Sequence, residues 1–255
     1  MSEGTSNYWR KILALDEPVP SDFPKQFQTW HRFFRPWFYK IVSIPLKFYC
    51  PEKVLGLENL PSHPPYIIAA NHGSAMDFVT VAYALGKRKD ELYPLTTKLF
   101  YDRPQSLFWI KIAANAIRID TEEDFLPALK IAIKILKAGK AVYINPEGLR
   151  TLDGSLLPFR PGVGILAAET GVPLVPVYLH NTWKVLPTDA LLPRPYPVLV
   201  IFGKPLEMAP YQEKLKTHPA YEVYKEVTEE LRNRILELQR LAAYWQGKDK
   251  AASLS

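Results

Sequence analysis

One cysteine, Cys50, in 255 residues leaves no partner for an intramolecular disulfide and points to a reducing compartment. No run of 18 or more residues is both apolar and uncharged, which argues against a membrane-spanning helix. The amino-terminal residues do not combine a basic end, an apolar stretch and a small-residue cleavage site, so no signal peptide is expected. The five histidines show no His-x-x-x-His spacing and cysteine pairs are absent, so no metal centre is expected. A Gly-x-Ser-x-Gly elbow is missing too, which removes the usual serine-hydrolase arrangement. Acidic residues are missing from one whole stretch: there is no Asp or Glu between Phe23 and Pro51.

That stretch is rich in what remains. It holds Lys25, Arg32, Arg35, Lys40 and Lys47 together with ten aromatic residues. Phe27, Trp30, Phe34, Trp37, Ile41, Ile44 and Phe48 recur in steps of three and four, which places them on one helical stripe. Pro36 and Pro45 divide or kink it, since proline lacks the backbone donor and clashes with the preceding turn. Aromatic rings flanked by cations suit a helix lying in a membrane interface. We therefore expect residues 1–50 to form an amphipathic helical arm, with Trp30, Phe34, Trp37 and Phe38 docking on a membrane surface. Packing of the stripe on the protein's own core is the alternative. Base stacking is a third reading, but no nucleic-acid motif accompanies it and no nucleic-acid partner is expected. The net charge of +6 suits an anionic lipid surface.

Residues 51–255 are long enough for one large domain with a sizeable core, and the 47% hydrophobic content excludes disorder. Short strands are expected at Val54–Leu57, Tyr66–Ala70, Tyr93–Thr97, Ala116–Ile119, Lys140–Ile144, Pro173–Leu179 and Val198–Phe202. Between them, helices are expected from Met76 to Gly86, over Leu107–Ala114, from Glu122 to Ala138, over Gly162–Thr170 and over Tyr221–Trp245, followed by a frayed tail. Strands alternating with helices predict an α/β fold with a mostly parallel central sheet and helices on both faces.

Two segments carry chemistry. Asn71-His72-Gly73-Ser74-Ala75-Met76-Asp77 follows the strand ending at Ala70. A histidine oriented by a carboxylate can take a proton from an alcohol at neutral pH, and strand ends of α/β sheets are where such groups gather. Asn145-Pro146-Glu147-Gly148-Leu149-Arg150-Thr151 likewise follows a strand. Arg150 there offers a planar, permanently charged fork for a phosphate, with Glu147 fixing the loop or contacting hydroxyls; a self-satisfied Glu147–Arg150 pair is the alternative. Ser74 is an unfavourable nucleophile, because a neighbour in a turn seldom presents its hydroxyl to the histidine.

The order of these blocks resembles the glycerolipid acyltransferases, in particular the 1-acyl-sn-glycerol-3-phosphate acyltransferase (lysophosphatidate acyltransferase) family. Asn71–Asp77 matches its His-x4-Asp block, and Glu147-Gly148-x-Arg150-Thr151 its Glu-Gly-Thr-Arg-Ser block. Val172–Val177 is similar to its Val-Pro-Ile-Val-Pro block, Gly203-x-Pro205 to its terminal signature, and Lys98-Leu99-Phe100 with Pro104 to its second block. The likeness covers roughly residues 50–210. Asn145 stands where the family has an aromatic, Leu149 where it has Thr, and no Arg follows Asp120.

The resemblance implies transfer of a fatty acyl group from a coenzyme A or acyl-carrier-protein thioester to a lysophospholipid hydroxyl. His72 would be the general base and Asp77 its orienting partner. Gly73 and Ser74 would supply backbone donors for the oxyanion, and Glu147, Gly148, Arg150, Thr151 and Lys98 would bind the phosphorylated acceptor. The implied partners are a lipid substrate, an anionic membrane surface and an acyl carrier protein. Beyond the thioester co-substrate no cofactor is implied. A peripheral place on the cytoplasmic face of a membrane would follow.

Overall fold

The computed structural model describes residues 8–20, 23, 37, 41, 48–97, 115–119, 126–188, 190 and 192–252. Seven strands form its sheet: β1 (Glu52–Leu55), β2 (Ile67–Ala70), β3 (Leu92–Thr97), β4 (Ile117–Ile119), β5 (Ala141–Ile144), β6 (Leu174–His180) and β7 (Val198–Phe202). Their spatial order is β1-β7-β6-β2-β5-β3-β4. Every neighbouring pair is parallel except β6 and β7, which run antiparallel.

Period-two alternation sorts the strand side chains into two buried layers. Ile67 and Ala69 of β2, Val142 of β5 and Leu199 and Ile201 of β7 point to one face. Tyr66, Ile68 and Ala70, Tyr143, and Val198 and Val200 point to the other. Helices α2 (Leu126–Lys137), α3 (Gly162–Thr170) and α6 (Ala220–Ala252) cover the first layer. Helix α1 (Asp77–Ala84) covers the second, joined by Val185 of the short α4 (Thr182–Val185). A further short helix, α5 (Ala209–Leu215), precedes α6. The expected α/β architecture with both faces covered is therefore observed.

Several boundaries differ from expectation. The first strand stops at Leu55 because Gly56 takes a left-handed conformation (φ 69°), with Phe202 O lying where a Cβ would stand. α6 runs on to Ala252 where a frayed tail was expected. The expected helix over residues 107–114 and most of the arm, including Trp30, Phe34 and Phe38, lie outside the described residues.

Candidate active site

The end of β2 is extended by a side chain. Asn71 donates from Nδ2 to Leu179 O (3.1 Å) and accepts from Leu179 N at Oδ1 (2.7 Å), which continues the β2–β6 ladder one step past the strand. Asn145 does the same service on the other flank. Its Nδ2 lies within hydrogen-bond range of Ala70 O, Asn71 O and Tyr143 Oη, at 3.0, 3.1 and 3.0 Å. The residue after Asn71 is thus held at a fixed height above the sheet.

That residue is His72. Its Nδ1 lies 2.8 Å from Asp77 Oδ2. A carboxylate accepts only, so Nδ1 is the donor in this contact. The imidazole is about a quarter exposed, whereas Asp77 is buried at 1%. The same Oδ2 accepts the amides of Gly73 (2.8 Å) and Ser74 (2.9 Å). Three donors thus converge on one oxygen at the start of α1, where the helix dipole favours negative charge.

The main chain of His72 is clamped as well. Its N–H donates to Glu147 Oε1 (2.7 Å), and its carbonyl accepts from Thr151 N (2.9 Å). Glu147 Oε2 accepts from Leu157 N (2.8 Å), so both oxygens of this buried carboxylate serve the backbone. Burial pushes its pKa up, and the amides of His72 and Leu157 counter that rise. Tyr143, wholly buried beneath the site, is pushed well up by burial and by the nearby Asp77 charge.

The structure shows the contacts of most of the expected site residues. Gly73 and Ser74, expected to supply oxyanion donors, direct their amides at Asp77 Oδ2 instead. The Ser74 hydroxyl donates to Leu186 O (3.0 Å) and accepts from Met76 N, so it is a strut rather than a nucleophile. Glu147 and Thr151, expected to contact the acceptor, are both buried; the Thr151 hydroxyl is bonded to Asp153 and lies 3.3 Å from Ser155 Oγ. They tie the second loop to the first. Gly148 is exposed at φ 71°, with the Arg160 guanidinium lying where a Cβ would stand (2.7 Å to Nε). Arg150 is half-buried in the same loop. Lys98 lies outside the described residues. Of the arm's aromatic stripe, Trp37, Ile41 and Phe48 are described, and all three are exposed, whereas nearer the amino terminus Leu13 and Leu15 are buried in the core and Trp9 and Phe23 pack against it, as the core-packing alternative expects.

Sequence reasoning passed over Trp183. Its Cβ and amide press on Gly73, and its indole covers Gly154, so α4 walls the space between the two loops. A glycine in each loop, one at φ 84°, was the available signal.

A family model described as Acyltransferase matches residues 52–180. A chloroplastic 1-acyl-sn-glycerol-3-phosphate acyltransferase of Brassica napus is 31% identical over 183 residues, covering 70% of this chain and 51% of that protein. The 1-acyl-sn-glycerol-3-phosphate acyltransferase of Bacillus subtilis (strain 168) is 29% identical over 187 residues, covering 73% and 87% respectively. The chain spans about half the length of the plant relatives. The crystal structure of the 1-acyl-sn-glycerophosphate acyltransferase PlsC from Thermotoga maritima shares the fold, with a TM-score of 0.58 at 23% identity over 86% of this chain and 80% of that one.

Proposed function

The chain belongs to the acyltransferase family, and on that footing we propose that it moves a fatty acyl group from a coenzyme A or acyl-carrier-protein thioester to the free hydroxyl of a lysophospholipid. The acceptor proposed first is 1-acyl-glycerol-3-phosphate, with phosphatidate as product; the relatives bearing that activity in their names support this choice. The observation that carries the reading is the 2.8 Å contact between His72 Nδ1 and a buried Asp77 held by two further amides.

In the proposed reaction His72 Nε2 accepts the acceptor hydroxyl proton as that oxygen attacks the thioester carbonyl. Asp77 keeps the ring in the productive tautomer and stabilises the imidazolium. The tetrahedral intermediate collapses, the C–S bond breaks, and the proton passes from His72 to the leaving thiolate. General-base assistance of this kind is worth about 10²–10⁴ in rate. Arg150 is proposed to hold the acceptor phosphate by paired charge-assisted bonds, with Lys98 as a second cation. No cofactor besides the thioester takes part.

We propose further that the enzyme works from the surface of a membrane, peripherally on its cytoplasmic face. Exposed Trp37, Ile41 and Phe48 at helical spacing support an arm that docks there. Among the described residues no helix is long and apolar enough to cross a membrane.

The test is release of free thiol from acyl-coenzyme A and from acyl-carrier-protein thioester, with lysophosphatidate, other lysolipids or glycerol-3-phosphate as acceptor. Thiol release that depends on lysophosphatidate is expected. Release with another acceptor alone would reassign the substrate, and no release from any pair would favour a protein that only binds membranes.

A further inference from the structure

Solvent-exposed apolar side chains are unevenly placed on this molecule. Among the described large hydrophobics, three exceed three-quarters exposure: Phe48 (84%), Leu152 (77%) and Leu192 (78%). They come from distant stretches of chain, and the sheet topology brings all three to one edge. β1 and β7 run opposite to β2, β5 and β6. The segments entering β1 and β7, which carry Phe48 and Leu192, therefore meet the same edge as the loops leaving β2 and β5, which carry His72 and Leu152. Leu149, 63% exposed, lies beside Arg150 in the β5 loop.

Hydrogen bonds tie these segments together. The Ser74 hydroxyl donates to Leu186 O, and the Cys50 thiol donates to Arg194 O (3.2 Å), so the segment before β7 is held to both the catalytic loop and the end of the arm. Cations outnumber exposed acids here: the β5 loop and the segment between β6 and β7 carry Arg150, Arg160, Lys184 and Arg194 against the exposed Asp153 and against Asp189, which lies outside the described residues, while Glu147 is buried. Asp153 is itself turned back onto the Thr151 hydroxyl and the Ser155 amide (both 2.9 Å). Single exposed leucines are ordinary, but several on segments that share one end of the sheet and carry an excess of cations fit a surface that enters lipid.

We propose that this edge is a lipid-contacting rim. Leu149, Leu152 and Leu192 enter the boundary between headgroups and acyl chains of an anionic bilayer, and the surrounding arginines and Lys184 meet its phosphates. The rim is a second anchor besides the arm, and it faces the His72 cleft toward the membrane. It rests on the acyl-transfer reading only in supplying a reason for that orientation, and the contact is measured without turnover.

The test is co-sedimentation of the full chain with phosphatidylcholine vesicles containing phosphatidylglycerol. The Leu152→Ser/Leu192→Ser variant is expected to bind about tenfold more weakly than the parent. Tyr221→Ser is expected to bind like the parent, since α6 begins at the opposite edge, where Tyr224 bonds the Glu169 end of α3. Undiminished vesicle binding by the double variant overturns the rim, whatever its activity. Undiminished vesicle binding with weakened docking of an acidic carrier protein also overturns it and assigns the edge to protein contact. Absence of acyl transfer in parent and variant alike would overturn the proposed function while leaving the vesicle result to decide the rim.

Discussion

The loops after β2 and β5 leave neighbouring parallel strands at the same edge, and they are finished in different ways. In residues 71–77 the polar side chains turn inward: Asn71 to β6, Asp77 to His72 and two amides, Ser74 to Leu186. In residues 145–157 only half the loop does so. Asn145, Glu147 and Thr151 brace His72 and the end of β2, while Leu149 and Leu152 stand in solvent and Arg150 is half-buried between them. One loop is closed on itself and holds the base rigidly. The other has a buried scaffold carrying an open surface whose residues can change without disturbing that base. Under the proposed function, the first loop would carry the reaction and the second the choice of acceptor.

The sharpest way to break this contrast is at the centre of the closed loop. His72→Ala is expected to lower kcat by about 10³-fold or more with the melting temperature little changed; turnover within threefold of the parent would remove His72 from the chemistry. Glu147→Gln tests whether the buried half of the second loop serves the first. A glutamine presents an NH2 where one amide now donates, so a loss of about 2–3 kcal/mol in stability and about 10²-fold in kcat is expected. A variant with full kcat and only a raised acceptor KM would make Glu147 a ligand rather than a brace. Arg150→Ala belongs to the open half. It should raise the KM for a phosphorylated acceptor about tenfold and leave the donor KM unchanged. Equal acceptor KM values would assign Arg150 to the loop's own structure.

Two buried carboxyls extend the comparison to pH. Glu147 is buried with an amide on each oxygen, whereas Glu52, at the head of β1, has a buried Oε1 without a hydrogen-bond partner among the described residues. Burial pushes the Glu52 pKa up to about 8. A carboxyl whose pKa is higher folded than unfolded contributes its full stability below the unfolded value of 4.5, and that contribution is lost as pH rises through about 8. Glu52→Gln should therefore match the parent near pH 4–5 and gain a few kcal/mol by pH 9, at about 1.4 kcal/mol per pKa unit. Denaturant midpoints measured across that range check it, and a gain independent of pH would mean that Glu52 does not titrate as described.

Much of this was legible in the chain. The short, wholly apolar runs Tyr66–Ala70 and Val198–Phe202 gave the strands, and Gly139 and Gly171, at φ 71° and 70°, ended helices where expected. His72 and Asp77 could be paired from spacing, because five residues across a turn into a helix bring the two side chains within reach. The same local geometry gives the amides of Gly73 and Ser74, expected as oxyanion donors, an acceptor in Asp77 itself, four and three residues on.

Periodicity and turn chemistry act over a few residues, and they are enough to specify the strands and helices, if not their ends, and the presence of a histidine–carboxylate pair. Which groups brace that pair depends on the order of strands in the sheet. Glu147 reaches His72 across 75 residues and Leu186 reaches Ser74 across 112, separations at which no local pattern carries information. The reversal of β7 against β6 has the same standing. It carries Leu192 and Phe48 to the edge of His72, and so the exposed leucines acquire a common surface only once the sheet is assembled.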